Sequence, residues 1–234
     1  MRTRITNQIL SLFLGASALL GLCLSASADD NTGSIMARVG VTVVHPDSSA
    51  DVFAGGARIA GADAEVSTEA VPSLTLAYFL TNNVAVELFC CFAKHEVGGK
   101  GALNGVDLGD TWIFPPALTL QYHFDNERGF KPYVGVGVQY IAFFDEGRGS
   151  LAGNPRLDLD NAFGFTLQAG VDVEIGNGWY LNGDVKRTFL DTDASWQGTN
   201  ITADVDLDPW LFTAALGRRF NLFGPAPIAP VSYK

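Results

Sequence analysis

The stretch Pro132 to Gly147, PYVGVGVQYIAFFDEG, decides how this chain folds. Val134, Val136, Val138 and Tyr140 alternate with Gly135, Gly137 and Gln139. A strand turns successive side chains to opposite faces, so one face here is bulky and apolar and the other is small or polar. The same pattern recurs seven more times between turn signals, which gives eight strands. A strand set that is apolar outside and small or polar inside is what a membrane-spanning barrel needs, because lipid offers no partner for exposed polar groups.

The other seven strands show the same alternation. Ile35 to Val43 places Ile35, Ala37, Val39, Val41 and Val43 opposite Met36, Arg38, Gly40 and Thr42. Ser73 to Leu80 sends Leu74, Leu76, Tyr78 and Leu80 outward, and Thr81-Asn82-Asn83 makes a tight turn. Val84 to Phe92 follows, with Ala85, Glu87, Phe89 and Cys91 inward and Cys90 outward. Leu118 to Phe124 carries Thr119, Gln121 and His123 on its inner face. Phe163 to Ile175 is the longest clean alternation, with Gly164, Thr166, Gln168, Gly170, Asp172 and Glu174 inward. Asn177-Gly178 is a hairpin signal, and Tyr180 to Leu190 then turns Asn182, Asp184 and Lys186 inward. Trp210 to Phe220 is the eighth strand.

The connections alternate in length. Short turns follow strands two, four and six, while long connections run over about 45–70, 93–114, 145–160 and 191–208. Short periplasmic turns and long extracellular loops are the usual asymmetry of these barrels. The expected fold is therefore all-β: an eight-stranded antiparallel transmembrane barrel, in a cell outer membrane, with both chain ends periplasmic. A lipocalin-like barrel would fill its interior with bulky apolar groups, whereas the inner faces here carry glycines and Arg38, Glu87, Asp172, Glu174 and Asp184. Aromatics gather near strand ends, with Tyr122, Phe124, Tyr133, Trp179 and Phe220 low and Trp112, Phe143, Phe189 and Trp210 high, as interfacial girdles require.

Three segments are expected. Residues 1–28 read as a cleaved signal peptide, with Arg2 and Arg4, an apolar run from Ile9 to Leu24, and Ala26-Ser27-Ala28 before Asp29. Residues 29–220 form the barrel, and 221–234 a Pro-rich periplasmic tail. No later apolar run reaches the ~18 residues of a membrane helix.

Of the 15 basic residues, Arg2 and Arg4 leave with the signal, so 13 face 25 acidic ones and the mature formal charge is −12. That excludes nucleic acid as a partner, since phosphate recognition needs clustered Lys and Arg. The carboxylates concentrate in the long connections: Asp47, Asp51, Asp63, Glu65 and Glu69, then Asp145 and Glu146, then Asp191 and Asp193. They read as a solvated rim that can also attract cations to the mouth. Cys90 and Cys91, adjacent in one strand, point apart and form no disulfide framework.

The segments GSIMARVGVTVVHP (33–46), YFLTNNVAVEL (78–88), PPALTLQYHF (115–124), KPYVGVGVQYIAFFDEG (131–147) and LDPWLFTAALGRRF (207–220) together resemble the OmpW family of outer-membrane proteins. The resemblance implies a narrow, rather hydrophobic lumen and passage of small, often apolar molecules, with an exit sideways into the bilayer. Two departures stand out. Family members commonly end at the closing aromatic, whereas Phe220 is followed by Asn221 to Lys234, and Lys186 and Arg187 put charge where an apolar wall is expected.

The function expected is a channel-like barrel for small hydrophobic or amphipathic molecules. The alternative is a structural or adhesive barrel whose acidic loops bind external partners, with no open pore. Lumen-lining or gating roles fall to Arg38, Glu87, Phe89, Gln121, His123, Gln139, Asp172, Asp184 and Lys186. The inward charges can pair across the interior, Arg219 among them, and plug it. Eight strands leave an interior about wide enough for side chains to fill, which excludes a wide water pore. Partners expected are outer-membrane lipid, lipopolysaccharide, small hydrophobic solutes and the outer-membrane assembly machinery. No nucleophile motif, metal-ligand spacing or cofactor motif is present, so no enzyme, metal or cofactor is expected. A catalytic reading would need a Ser beside His95; His45, the remaining histidine, also sits at an external loop base.

Overall fold

A computed structural model describes residues 31–124 and 129–221. The expected signal peptide and residues 222–234 of the expected Pro-rich tail lie outside the described residues, while Asn221, the first residue of that tail, ends the last strand. In chain order the strands are β1 Ser34–His45, β2 Ser49–Ala54, β3 Ala57–Arg58, β4 Ala62–Val66, β5 Glu69–Phe79, β6 Val84–Cys91, β7 Ala93–Gly101 and β8 Asp107–Phe114. Then come β9 Ala117–His123, β10 Phe130–Phe144, β11 Leu157–Leu159, β12 Ala162–Gly176, β13 Trp179–Phe189, β14 Asp191–Trp196, β15 Ile201–Asp206 and β16 Trp210–Asn221.

Eight of these, β1, β5, β6, β9, β10, β12, β13 and β16, pair antiparallel in sequence order. β1 meets β16 from Ser34↔Asn221 to His45↔Trp210, and that pairing closes the sheet into a barrel. The long alternation after Asn161 pairs with the PYVGVGVQY strand from Phe130↔Val173 to Ile141↔Ala162. The tight turns behave as their residues dictate. Asn177 and Gly178 both take positive φ, 53° and 73°, the conformation of a two-residue hairpin turn. Thr81 Oγ1 accepts from the Asn83 and Val84 amides and ties the β5–β6 turn.

The outward face is the one the alternation gives. Val134, Val136, Val138 and Tyr140 are 38–49% exposed, in a protein where Phe163 reaches 67%. Exposed apolar side chains in a continuous band are unfavourable in water and favourable against lipid. Trp210 lies on that face at the upper end of β16, and Trp112 on it near the lower end of β8, where the external wall meets the barrel. Tyr133 differs from expectation: it is 2% exposed and points into the lumen, not into a girdle. Its position is one residue out of phase with Val134, and Gly170 on β12 leaves room for its ring, since a Cβ there would collide with it.

The long connections are not loops. All four carry strands, β2, β3, β4, β7, β8, β11, β14 and β15, which extend the wall upward. β7 pairs with β8 and with β4, and β2, β3, β11, β14 and β15 form a five-stranded sheet. Between them lies an apolar core of Val52, Ala64, Leu108, Ile113, Ile141, Leu157, Trp196, Ala203 and Val205. The molecule therefore has a polar interior at membrane level and a greasy one above it.

Candidate functional site

The membrane-level interior is a hydrogen-bonded charge network. Arg38 on β1 grips Asp172 on β12 with two parallel bonds, Nε to Oδ1 at 2.9 Å and Nη2 to Oδ2 at 2.5 Å. Its Nη1 reaches Glu87 Oε2 on β6 at 3.1 Å. Lys186 on β13 bridges Glu87 Oε1 at 3.1 Å and Asp184 Oδ1 at 2.6 Å. Amide and phenol donors occupy the oxygens that remain. Gln121 Nε2 donates to Glu87 at 2.7 Å, Gln168 Nε2 to Glu87 at 2.9 Å and to Asp184 at 2.7 Å, and Tyr133 to Asp184 at 2.8 Å. Asn182 Nδ2 donates to Asp172 at 3.0 Å.

All five charged members are buried, two cations against three carboxylates. Desolvating ions costs several kcal/mol each and is repaid only when geometry is good and the remaining lone pairs are filled. Both conditions hold here. The network spans β1, β6, β12 and β13, so it ties opposite walls together and fills the lumen.

Every lumen residue picked from the sequence is buried inside. Arg38, Glu87, Gln121, Asp172, Asp184 and Lys186 belong to the network itself. His123 lies below it, stacked on Tyr133 at a centroid distance of 4.7 Å and tilted against Phe79 at 4.9 Å, with Nε2 3.0 Å from Gln121 Oε1. Phe89 lies beneath the Lys186 ammonium at 4.8 Å. Gln139 sits higher, donating to the Pro115 carbonyl and accepting from Thr188. Arg219 is not part of the network. It is held between the Phe79 and Tyr180 rings, each at 4.9 Å, and donates to Asn31. Arg187 points outward instead of into the pore, over Trp210 at 5.0 Å and against Asp208 at 3.3 Å.

Above Phe89, where Val44, Cys91, Ala117 and Leu211 form an apolar floor, a cavity of about 70 Å³ opens into the external core. Val52, Leu108, Ile141, Leu157, Trp196 and Ala203 line it, with His95 and Thr111 among the few polar members. Trp196 is fixed by its indole N–H, which donates to the Leu108 carbonyl at 2.9 Å. Space for a water needs roughly 10–15 Å³ of such volume, so the cavity holds several waters or one small organic molecule.

His95 does have a serine neighbour, though not in a catalytic arrangement. Its Nδ1 lies 2.7 Å from the Ser67 carbonyl, while the Ser67 hydroxyl donates to Glu69. The imidazole titrates below its ordinary value because burial disfavours the cation, against the opposing pull of the Ser67 carbonyl and Glu69.

The profile of the OmpW family matches residues 31–220. The chain belongs to the OmpW family. It is 30% identical to outer membrane protein W of Vibrio cholerae, over 88% of this chain and 97% of that one. It is 32% identical to the dibenzothiophene metabolism operon protein PahQ of Pseudomonas aeruginosa, over 78% of this chain and 87% of that one. Among solved structures it superposes on the outer membrane protein OprG of Pseudomonas aeruginosa with a TM-score of 0.75 and 32% identity, covering 81% of this chain and 96% of OprG. This OmpW-family barrel is a multi-pass protein of the outer membrane, with its apolar band against lipid.

The sequence reading missed Tyr133, Gln168 and Asn182 as network members, although Gln168 shares the inward parity of Asp172. It missed the cavity, because most of the lining comes from stretches taken as loops, with Gln139, Ile141 and Leu211 contributed by expected strands.

Proposed function

We propose that this protein admits small, largely apolar molecules through the outer membrane, with the external cavity as entry site and the charge network as a seal below it. The observation that carries this reading is the stacking of an apolar cavity directly on a filled, ion-paired lumen. A solute received from above finds greasy walls, while water and ions find no continuous path. Arg38, Glu87, Phe89, Gln121, His123, Gln139, Asp172, Asp184 and Lys186 are then the seal, so an admitted molecule leaves sideways between strands. PahQ, named for an operon that metabolises an apolar aromatic compound, and the family's association with apolar solutes support this choice of cargo. Lipopolysaccharide around the external wall and the outer-membrane assembly machinery are the partners this reading includes.

The test is uptake of toluene by a Gram-negative host with and without the protein, paired with single-channel recording in a planar bilayer. Accelerated uptake without sustained ionic current is expected, reduced when Ala203→Trp fills the cavity. Unchanged uptake from folded, inserted protein overturns the reading.

A second reading, an adhesive barrel, is favoured by one observation. Asp51, Asp204 and Asp193 sit directly opposite one another across β2, β15 and β14. It predicts cell-surface binding that survives Ala203→Trp and fails when those aspartates become asparagine.

A further inference from the structure

The external wall is split where the first long connection leaves the barrel. β1 and β5 form a ladder up to Val44↔Glu69. Above that pair their continuations part, since β2 pairs with β15 and β4 with β7. β2 and β4 therefore belong to different sheets although they stand side by side. Side chains bridge the split in place of a backbone ladder. His45 Nδ1 lies 2.7 Å from Thr68 Oγ1, and Ser48 Oγ accepts from the Val66 amide at 3.2 Å. Asp63 Oδ1 accepts from the Ala50 amide of β2 and from its own neighbour Ala64, each at 2.8 Å. A ladder opens only as a cooperative unit, whereas a few side-chain bridges break singly.

The split lies where the wall is thinnest. A hollow of about 580 Å³ opens outward at its foot, with His45, Asp47, Glu65, Glu96 and Lys100 among its walls. Pro46, Val66 and Val97 line both this hollow and the apolar cavity behind it, so the partition there is one side chain thick. Val66 and Val97 pair across the β4–β7 ladder, and Pro46 belongs to the other lip of the split. His45 stands opposite Trp210, which sets the hollow just above the upper aromatic girdle, in polar surroundings. The hairpin tips are closed by comparison. Ile59, Leu103, Leu151 and Ile201, one from each long connection, pack onto the core. Backbone bonds tie these connections together, Ala102 N to Gly61 O at 2.7 Å and Gly55 N to Asn200 O at 2.9 Å.

We propose that this split is the entrance to the cavity: apolar solutes reach the hollow from the water side and pass inward when β2 and β4 separate and Pro46 leaves Val66 and Val97. The Ser48 and Asp63 bridges are the latch. This rests on the cavity being the entry site, and it adds where the cavity is entered and what holds the entrance shut.

Ala50 and Ala64 allow the split to be locked. Their amides share one oxygen and both methyls enter the same core, so the double variant Ala50→Cys/Ala64→Cys brings two thiols within reach of a disulfide. The full chain carries it with Cys90→Ala and Cys91→Ala, refolded in micelles, and ¹⁹F NMR follows fluorobenzene bound to it. Locking before exposure is expected to leave the cavity empty. Locking after exposure is expected to trap the guest through desalting, and reduction to reverse both. Oxidised and reduced forms of one protein are compared, so effects of the substitutions themselves cancel. A second variant needs no disulfide: Asp63→Ala removes the latch, and toluene uptake by a Gram-negative host is expected to rise about fivefold, the factor one ordinary hydrogen bond is worth. A misfolded variant loses uptake and cannot mimic that gain. Locked protein that fills as readily as reduced protein, or unchanged uptake through folded, inserted Asp63→Ala, overturns the entrance and leaves the conduit standing. Reduced protein that binds no fluorobenzene overturns both.

Discussion

The two halves of the tube invert each other. At membrane level the outer face is Val136, Phe212 and Leu181 and the inner face is Arg38, Glu87 and Asp172; in the external half the outer face is Asp191, Asp193 and Asp204 and the inner face is Leu108, Leu157 and Ala203. Strand parity does not change between them. Even-numbered residues point inward from Tyr180 through Asn182, Asp184, Lys186 and Thr188, and go on doing so through Leu190, Thr192, Ala194 and Trp196. Only the chemistry of the two faces changes, between Phe189 and Asp191. One backbone rule, period two, thus serves two solvents: each face is matched to lipid below and to water above, and the interior takes what the outside cannot carry.

The sharpest way to break that contrast is to remove one ion from the lower interior. Arg38→Ala leaves Asp172 buried without a cation and Glu87 with Lys186 alone, and is expected to cost about 3–5 kcal/mol. Urea unfolding in micelles reads this, and bilayer recording of the same variant is expected to show ionic openings that the parent lacks. Leu157→Ala, in the upper interior, is expected to cost about 2–4 kcal/mol by cavity creation, with no gain of current. If Leu157→Ala conducts and Arg38→Ala does not, the seal has been assigned to the wrong half.

Placing the same charge on the two outer faces sharpens the comparison. Val136→Arg meets lipid and is expected to lose about 2–4 kcal/mol, whereas Thr202→Arg, in the external wall, is expected to stay within about 0.5 kcal/mol. Equal losses would place both faces in one medium. The smallest effect concerns the outer carboxylates. Asp204 stands between Asp51 and Asp193, and like charges directly opposite are destabilising. Asp204→Asn is expected to gain a few tenths of a kcal/mol at low salt and nothing at high salt, where screening removes the repulsion.

The lower half was legible in the sequence because lipid demands a run of large apolar residues at every second position, and Val134, Val136 and Val138 supply it without interruption. The upper half was not, because water accepts Asp, Ser and Gly on the outer face and Ala suffices on the inner one. SADVFA (Ser49–Ala54) reads as an acidic loop by composition and is β2 in fact. The inward direction of Arg38 and Asp172 was readable from parity, but their pairing joins residues 134 apart in sequence, and only barrel closure brings them together. Tyr133 was misplaced by weighing its aromatic character above its parity. His95 was noticed only for its residue type. Its burial and the bond from Nδ1 to the carbonyl of Ser67, 28 residues before it, appear only in the fold.

The indole of Trp196 has an optical consequence. Of the four tryptophans, Trp112 and Trp210 face outward beside lipid and Trp179 is half-buried at the periplasmic end of β13, while Trp196 is enclosed at 3% exposure in the wall of the cavity. Brominated acyl chains quench by contact, so they should darken the girdle emission and spare a residual component. That remaining light comes from one ring, and its colour reports whether the chamber beside it is wet, dry or filled.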